Sequence, residues 1–225
     1  MQQRELMLTV GDQEARAYLA APEQGGPGVL VLHAWWGLNP FYKSLCDRFA
    51  GAGFIALAPD MFGGQVATTI EEAERLSKMG DAGPTPQIVR AAADALLAQP
   101  GRTGATIGVV GFSFGAWYAA QLAAEAPDEV AAVVLYYGAV DGDFARSRAA
   151  YLAHIGELDN YEPLEYVRQM EQAIRDAGRE FTLHVYPQTG HWFVEEDRPD
   201  AYQPEAAALA WVRTIAFLQE TLGDS

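Results

Sequence analysis

The chain has 225 residues, of which 50% are apolar and 20% charged, and its formal net charge is −15. That length suits one domain with a full core, and the composition is that of an ordinary globular protein. So acidic a surface repels phosphate backbones, which argues against a nucleic-acid partner, and no apolar run reaches the length of a membrane span.

The first apolar stretch, within Met1 to Val10, is too short for a signal-peptide core, so the expected location is cytoplasmic. Arg4–Val10 and Ala15–Ala21 read as strands around a Gly11-Asp12 turn, an antiparallel hairpin at a sheet edge. Gly25-Gly26-Pro27 reads as a loop. Gly28–His33 is a continuous apolar run, suited to a strand buried on both faces. Pro40–Ala52 is helical in pattern and holds Cys46, the sole cysteine, so no intramolecular disulfide or Cys-rich metal site is expected. Cys46 reads as a small core or helix-surface residue. Phe54–Ala58 is a second buried strand. Thr69–Met79 and Gln87–Ala98 are predicted helices separated by Gly80–Pro86.

Further along, Ala105–Val110, Val130–Tyr136, Ala150–Ile155 and Phe181–Tyr186 read as strands. Ala116–Ala126, Leu164–Ala177 and Pro204–Leu222 read as helices. In the last, Ala208, Val212, Ile215, Leu218 and Leu222 share one face. Strands alternating with helices predict a mostly parallel sheet covered on both faces, in one domain spanning 1–225. The longest irregular stretch, Pro59–Thr68, leaves little room for a cap.

Gly111-Phe112-Ser113-Phe114-Gly115 fits the G-x-S-x-G pattern. A buried-type strand runs into it and a helix follows at once, the setting of a nucleophile elbow. The glycines are needed because a side chain at Gly111 or Gly115 would strike the adjoining strand and helix. Ser113 is exposed at the sheet's carboxyl edge beside a positive helix end. A serine hydroxyl needs a base. His33 precedes Ser113, against the serine–acid–histidine order of such sheets. His154 and His184 lie in predicted strands. His191 lies in the loop after the last strand, where these folds keep their chemistry. Asp159, at the end of Gly156-Glu157-Leu158-Asp159, is the expected acid, fixing the tautomer of His191. Asp141 and Asp143 are the runners-up, and Glu157 reads as solvated. The oxyanion donors expected are the amides of Phe114 and Trp35.

These features resemble the dienelactone hydrolase family of α/β-hydrolases. The resemblance runs through His33–Asn39, Ala58–Phe62, Gly111–Gly115, Gly156–Asp159, Gly190–Phe193, Ala201-Tyr202 and Ala207–Phe217. It implies an α/β-hydrolase fold in one compact domain without a cap or cofactor, and the triad Ser113, Asp159 and His191. Three departures stand out. Ser113 replaces the family's nucleophilic cysteine. Ala34 replaces a glutamate thought to manage the thiol's proton. Glu195 stands where the prototype has an arginine that binds its anionic substrate, which predicts repulsion of a carboxylate.

The reading is hydrolysis of a small-molecule carboxylic ester, lactone or thioester through an acyl-enzyme on Ser113. Amide hydrolysis on the same triad, or a silent binding protein, are the alternatives. Trp36, Phe62, Trp192 and Phe193 are expected to line an apolar pocket with Trp35 and Phe114. No metal or cofactor is expected, no phosphate-binding pattern follows a strand, and the assembly is read as a monomer or homodimer.

Overall fold

A computed structural model describes residues 1–223, so the last two residues of the expected 1–225 domain lie outside the described residues. β1 (Gln2–Val10) and β2 (Gln13–Ala21) form the hairpin at one edge. Gly11 turns it at a φ of 59°, a left-handed value that costs glycine nothing. β3 (Gly26–Leu32), β4 (Ile55–Pro59), β5 (Arg102–Phe112), β6 (Val130–Tyr136), β7 (Ala150–Gly156) and β8 (Phe181–Tyr186) complete an eight-stranded sheet in the order β1-β2-β4-β3-β5-β6-β7-β8. β2 joins β4 antiparallel, and the strands from β4 to β8 are mutually parallel.

Six helices cover the sheet among the described residues: α1 (Pro40–Gly51), α2 (Ile70–Ala82), α3 (Thr85–Leu97), α4 (Phe114–Glu125), α5 (Leu164–Asp176) and α6 (Pro204–Gly223). The alternation of β5 shows the two layers. A Cβ on Gly108 would meet Leu218 of α6, and Phe112 packs on Tyr42 of α1, whereas a Cβ on Gly111 would strike α4. Side chains two apart share a face, so α1 and α6 lie on one side and α4 on the other. Among the described residues no cap is inserted over the carboxyl edge. Among the described residues no helix is long and apolar enough to cross a membrane.

Two sequence expectations shift and a third is narrowed. β3 begins at Gly26, within the expected Gly25–Pro27 loop, because Gly26 and Pro27 pair with Arg102 and Thr103 of a longer β5. Tertiary pairing here overrides turn-type composition. The buried face of α6 is Ala210, Thr214, Leu218 and Leu222, whereas Ala208 is exposed and Val212 is 62% exposed. The face rotates because Thr214 is satisfied inside, by the hydroxyl of Tyr136 at 2.7 Å and by His154 Nε2 at 2.9 Å. Cys46 is wholly buried, so of its two expected settings it takes the core, and burial pushes its thiol far above the ordinary range.

Candidate active site

Ser113 sits between β5 and α4 at a φ of 48°. An L residue tolerates that conformation only where its surroundings enforce it. The enforcement comes from the two glycines. A Cβ on Gly111 would lie 2.5 Å from the Gly115 carbonyl oxygen, and one on Gly115 would lie 2.2 Å from the Leu32 oxygen. With both absent, β3, β5 and α4 close around the serine. Phe114 is the first residue of α4, so its amide has no carbonyl a turn earlier to bond.

His191 Nε2 lies 2.9 Å from Ser113 Oγ, and His191 Nδ1 lies 2.8 Å from Asp159 Oδ2. A carboxylate can only accept, so Nδ1 carries the proton and Nε2 is left to accept from the serine hydroxyl. The other Asp159 oxygen accepts from the amides of Tyr161 and Glu162, both at 2.9 Å. The His191 and Asp159 side chains are only 4% and 1% exposed. Asp141 and Asp143 are exposed, and Glu157 bonds the Gln188 amide at the surface. Glu162 is a neighbour the sequence did not mark. Burial lifts its carboxyl to about 7, the Ala139 amide opposes this, and Asp159 adds to it.

The loop after β3 is held hard. His33 Nε2 accepts from the Met61 amide at 3.2 Å, so its Nδ1–H donates to the Ala34 oxygen at 2.7 Å. Burial pushes this imidazole down to about 4, which keeps it neutral and able to play both parts. The Ala34 carbonyl and the Trp35 amide share one planar trans peptide. Fixing the oxygen therefore aims the Trp35 N–H the opposite way. The Ala34 amide in turn donates to the Tyr42 hydroxyl at 3.0 Å. His33 thus fixes the Ala34–Trp35 peptide, a structural role that its place ahead of Ser113 hid.

The aromatic expectations divide. Trp36 and Trp192 line a cavity of about 620 Å3 beside His191, with Ile70, Leu158, Tyr161 and Arg198. Trp35 stacks on Trp192 at 5.9 Å, and the Arg198 guanidinium lies 3.5 Å over the Trp36 ring. Phe62 and Phe193 do not line it. Phe62 is core, wedged between His33 and Phe114. Phe193 is wholly buried between Tyr137 and Tyr186. Trp192 takes a φ of 61°, and this reversal puts its own ring on the cavity and its neighbour's in the core. Glu195 is corrected too. It is fully buried against Tyr137 and off the cavity wall, so it presents no charge to a ligand there.

A buried Asp–His–Ser chain at a strained elbow can move a proton off a hydroxyl. Among the described residues no cluster of three His, Cys, Asp or Glu side chains is placed to hold a metal. In sequence, the chain is 32% identical to a protein named usf from Aquifex pyrophilus, over 93% of this chain and 94% of that one. It is 28% identical to a putative carboxymethylenebutenolidase from Aquifex aeolicus, over 93% and 94% of the two chains. In structure, it matches a putative dienelactone hydrolase from Klebsiella pneumoniae with a TM-score of 0.84 at 25% identity, covering 98% of this chain and all of that one. The sequence pattern of the dienelactone hydrolase family matches residues 15–222. This α/β-hydrolase chain belongs to the dienelactone hydrolase family.

Proposed function

We propose that this protein is a serine hydrolase that cleaves carboxylic esters, lactones included, through an acyl-enzyme on Ser113. The observation that carries the reading is the unbroken chain from Ser113 Oγ to His191 at 2.9 Å and on to Asp159 at 2.8 Å. Ser113 Oγ attacks the carbonyl carbon as its proton passes to His191 Nε2. The negative oxygen that forms is held by the amides of Phe114 and Trp35. Asp159 steadies the imidazolium without taking its proton. His191 then protonates the leaving alcohol, which in a lactone stays tethered to the acyl group. Water attacks the acyl carbon as its proton passes to the same Nε2, and that proton returns to Ser113 Oγ as the acyl–serine bond breaks and the acid leaves.

The cavity touches His191 and not Ser113, which suits it to the leaving-group side of the ester. Its walls of Trp36, Trp192, Tyr161, Ile70 and Leu158 favour an apolar or aromatic alcohol.

The test joins a fluorophosphonate probe to a panel of p-nitrophenyl esters and aminoacyl anilides. The expected result is one adduct, located on Ser113, with esters turned over far faster than anilides. No adduct, together with equal ester turnover by wild type and Ser113→Ala, defeats the reading. Preference for the anilides turns it into an amidase.

A further inference from the structure

Among the acidic side chains of the described residues, only Glu195 is wholly buried at 0% exposure. Its backbone closes a turn on the Trp192 oxygen, directly after His191. One carboxyl oxygen accepts from the Tyr137 hydroxyl at 2.7 Å. The other is buried without a hydrogen-bond partner, and the Tyr42 hydroxyl interacts with the same carboxyl. Each tyrosine belongs to a different wall of the site. Tyr42, on α1, accepts the Ala34 amide at 3.0 Å, next to the peptide that carries the Trp35 N–H. Tyr137 follows β6 at a left-handed φ of 39°, and its ring lies 4.8 Å from the His191 imidazole. One carboxyl therefore ties together the loops after β3, β6 and β8.

We propose that Glu195 is a positioning residue for the acyl transfer, holding the Ala34–Trp35 loop through Tyr42 and the His191 ring through Tyr137 in register around Ser113. It rests on the serine-hydrolase reading above. Burial lifts the Glu195 carboxyl to about 8, against the pull of the Tyr137 hydroxyl. The groups that face it are Tyr137 after β6, Tyr42 on α1, and Asp197 and Arg198 on its own loop. Asp197 raises it further, and Arg198 and Tyr42 lower it. Near neutrality the group is an uncharged acid, the form an enclosed apolar wall tolerates. When it ionises, a bare charge appears inside that wall and draws water into the loop, so the register loosens.

The experiment compares wild type with Glu195→Ala, Glu195→Gln and Tyr137→Phe. It measures kcat and KM for p-nitrophenyl acetate from about pH 6 to about pH 10, and the rate of fluorophosphonate labelling at Ser113. Glu195→Ala is expected to lower kcat and the labelling rate by about tenfold or more, with KM within about twofold, as for a site whose groups have drifted apart. Glu195→Gln, neutral and of the same shape, restores most of that loss near neutrality. It also stays flat where wild type declines above about 8. Labelling of Glu195→Ala at the wild-type rate overturns the positioning role alone. So does a Glu195→Gln profile that falls at high pH as wild type does, which decides the matter even if the alanine variant fails to fold. An unchanged kcat in Tyr137→Phe overturns the arm through Tyr137. Absence of any label in wild type defeats the hydrolase reading itself, and this proposal with it.

Discussion

Two edges of the same sheet treat backbone and charge differently. The β1–β2 hairpin runs in unbroken register from Gln2↔Ala21 to Val10↔Gln13. Its charges are on the surface, as in the 2.7 Å Lys43–Glu5 pair, whose side chains are 38% and 54% exposed. At the carboxyl edge the pattern inverts. Ser113, Tyr137, Gln188 and Trp192 are the described non-glycine residues with positive φ, and all lie in the loops that follow β5, β6 and β8. Several titratable groups there are buried, among them His33, Asp159, His191 and Glu195. Strain and enclosed polarity are concentrated where a reaction needs preorganised groups, and the regular sheet holds them in place.

The sharpest way to break this contrast is Asp159→Asn. An amide can donate to His191 Nδ1 and favour the wrong tautomer, so kcat for p-nitrophenyl esters should fall by about 10⁴ while the fold persists. Retained activity would mean that the buried pair is only structural. Next in size is Gly115→Ala. Its Cβ would be 2.2 Å from the Leu32 oxygen, so the variant should lose about 3 kcal/mol or more in urea unfolding, if it folds at all. The same substitution at Gly11 meets no atom within 4 Å and serves as the control, losing only the cost of its φ of 59°.

A third prediction concerns pH. The unfolded Glu195 titrates near 4.5 and the folded one near 8, so between these values the folded chain holds a proton that the unfolded chain has released. Stability is then full at acid pH with respect to this group and declines as pH rises through that window, by up to about 1.4 kcal/mol per pH unit. Glu195→Gln should remove this part of the slope in urea titrations at several pH values. The smallest effect belongs to the Lys43–Glu5 pair that joins α1 to the hairpin. Lys43→Ala should cost less than about 1 kcal/mol, and less still in high salt.

Much of this molecule was legible because its strands are near-continuous apolar runs and its helices carry clear stops. Ser113, Asp159 and His191 come together where their order and loop positions suggested. The misreadings share a cause. Aromatics that flank the motifs suggest Phe62 and Phe193 for the pocket, but chain order does not say which side of a turn a ring takes. For Phe193 the φ of 61° at Trp192 decides it. Glu195 was read as a charge facing a ligand, because carboxylates are seldom fully buried. Thr214 carries no motif to mark it, and His33 is set aside by its place ahead of Ser113. Each is polar, each is enclosed, and each has a partner distant in the chain: Met61, 28 residues from His33, and His154, 60 residues from Thr214.

The buried sulfur of Cys46 has a consequence for chemical durability. Thiol nucleophiles live by their reactivity and are lost to it, advancing under peroxide from sulfenic to sulfinic acid. In the proposed mechanism the reacting atom is the Ser113 alcohol oxygen, which takes no part in that sequence. The lone thiol is sealed in α1 and held in its protonated, inert form. Peroxides and alkylating reagents that silence a cysteine hydrolase therefore have no thiolate to reach in this one.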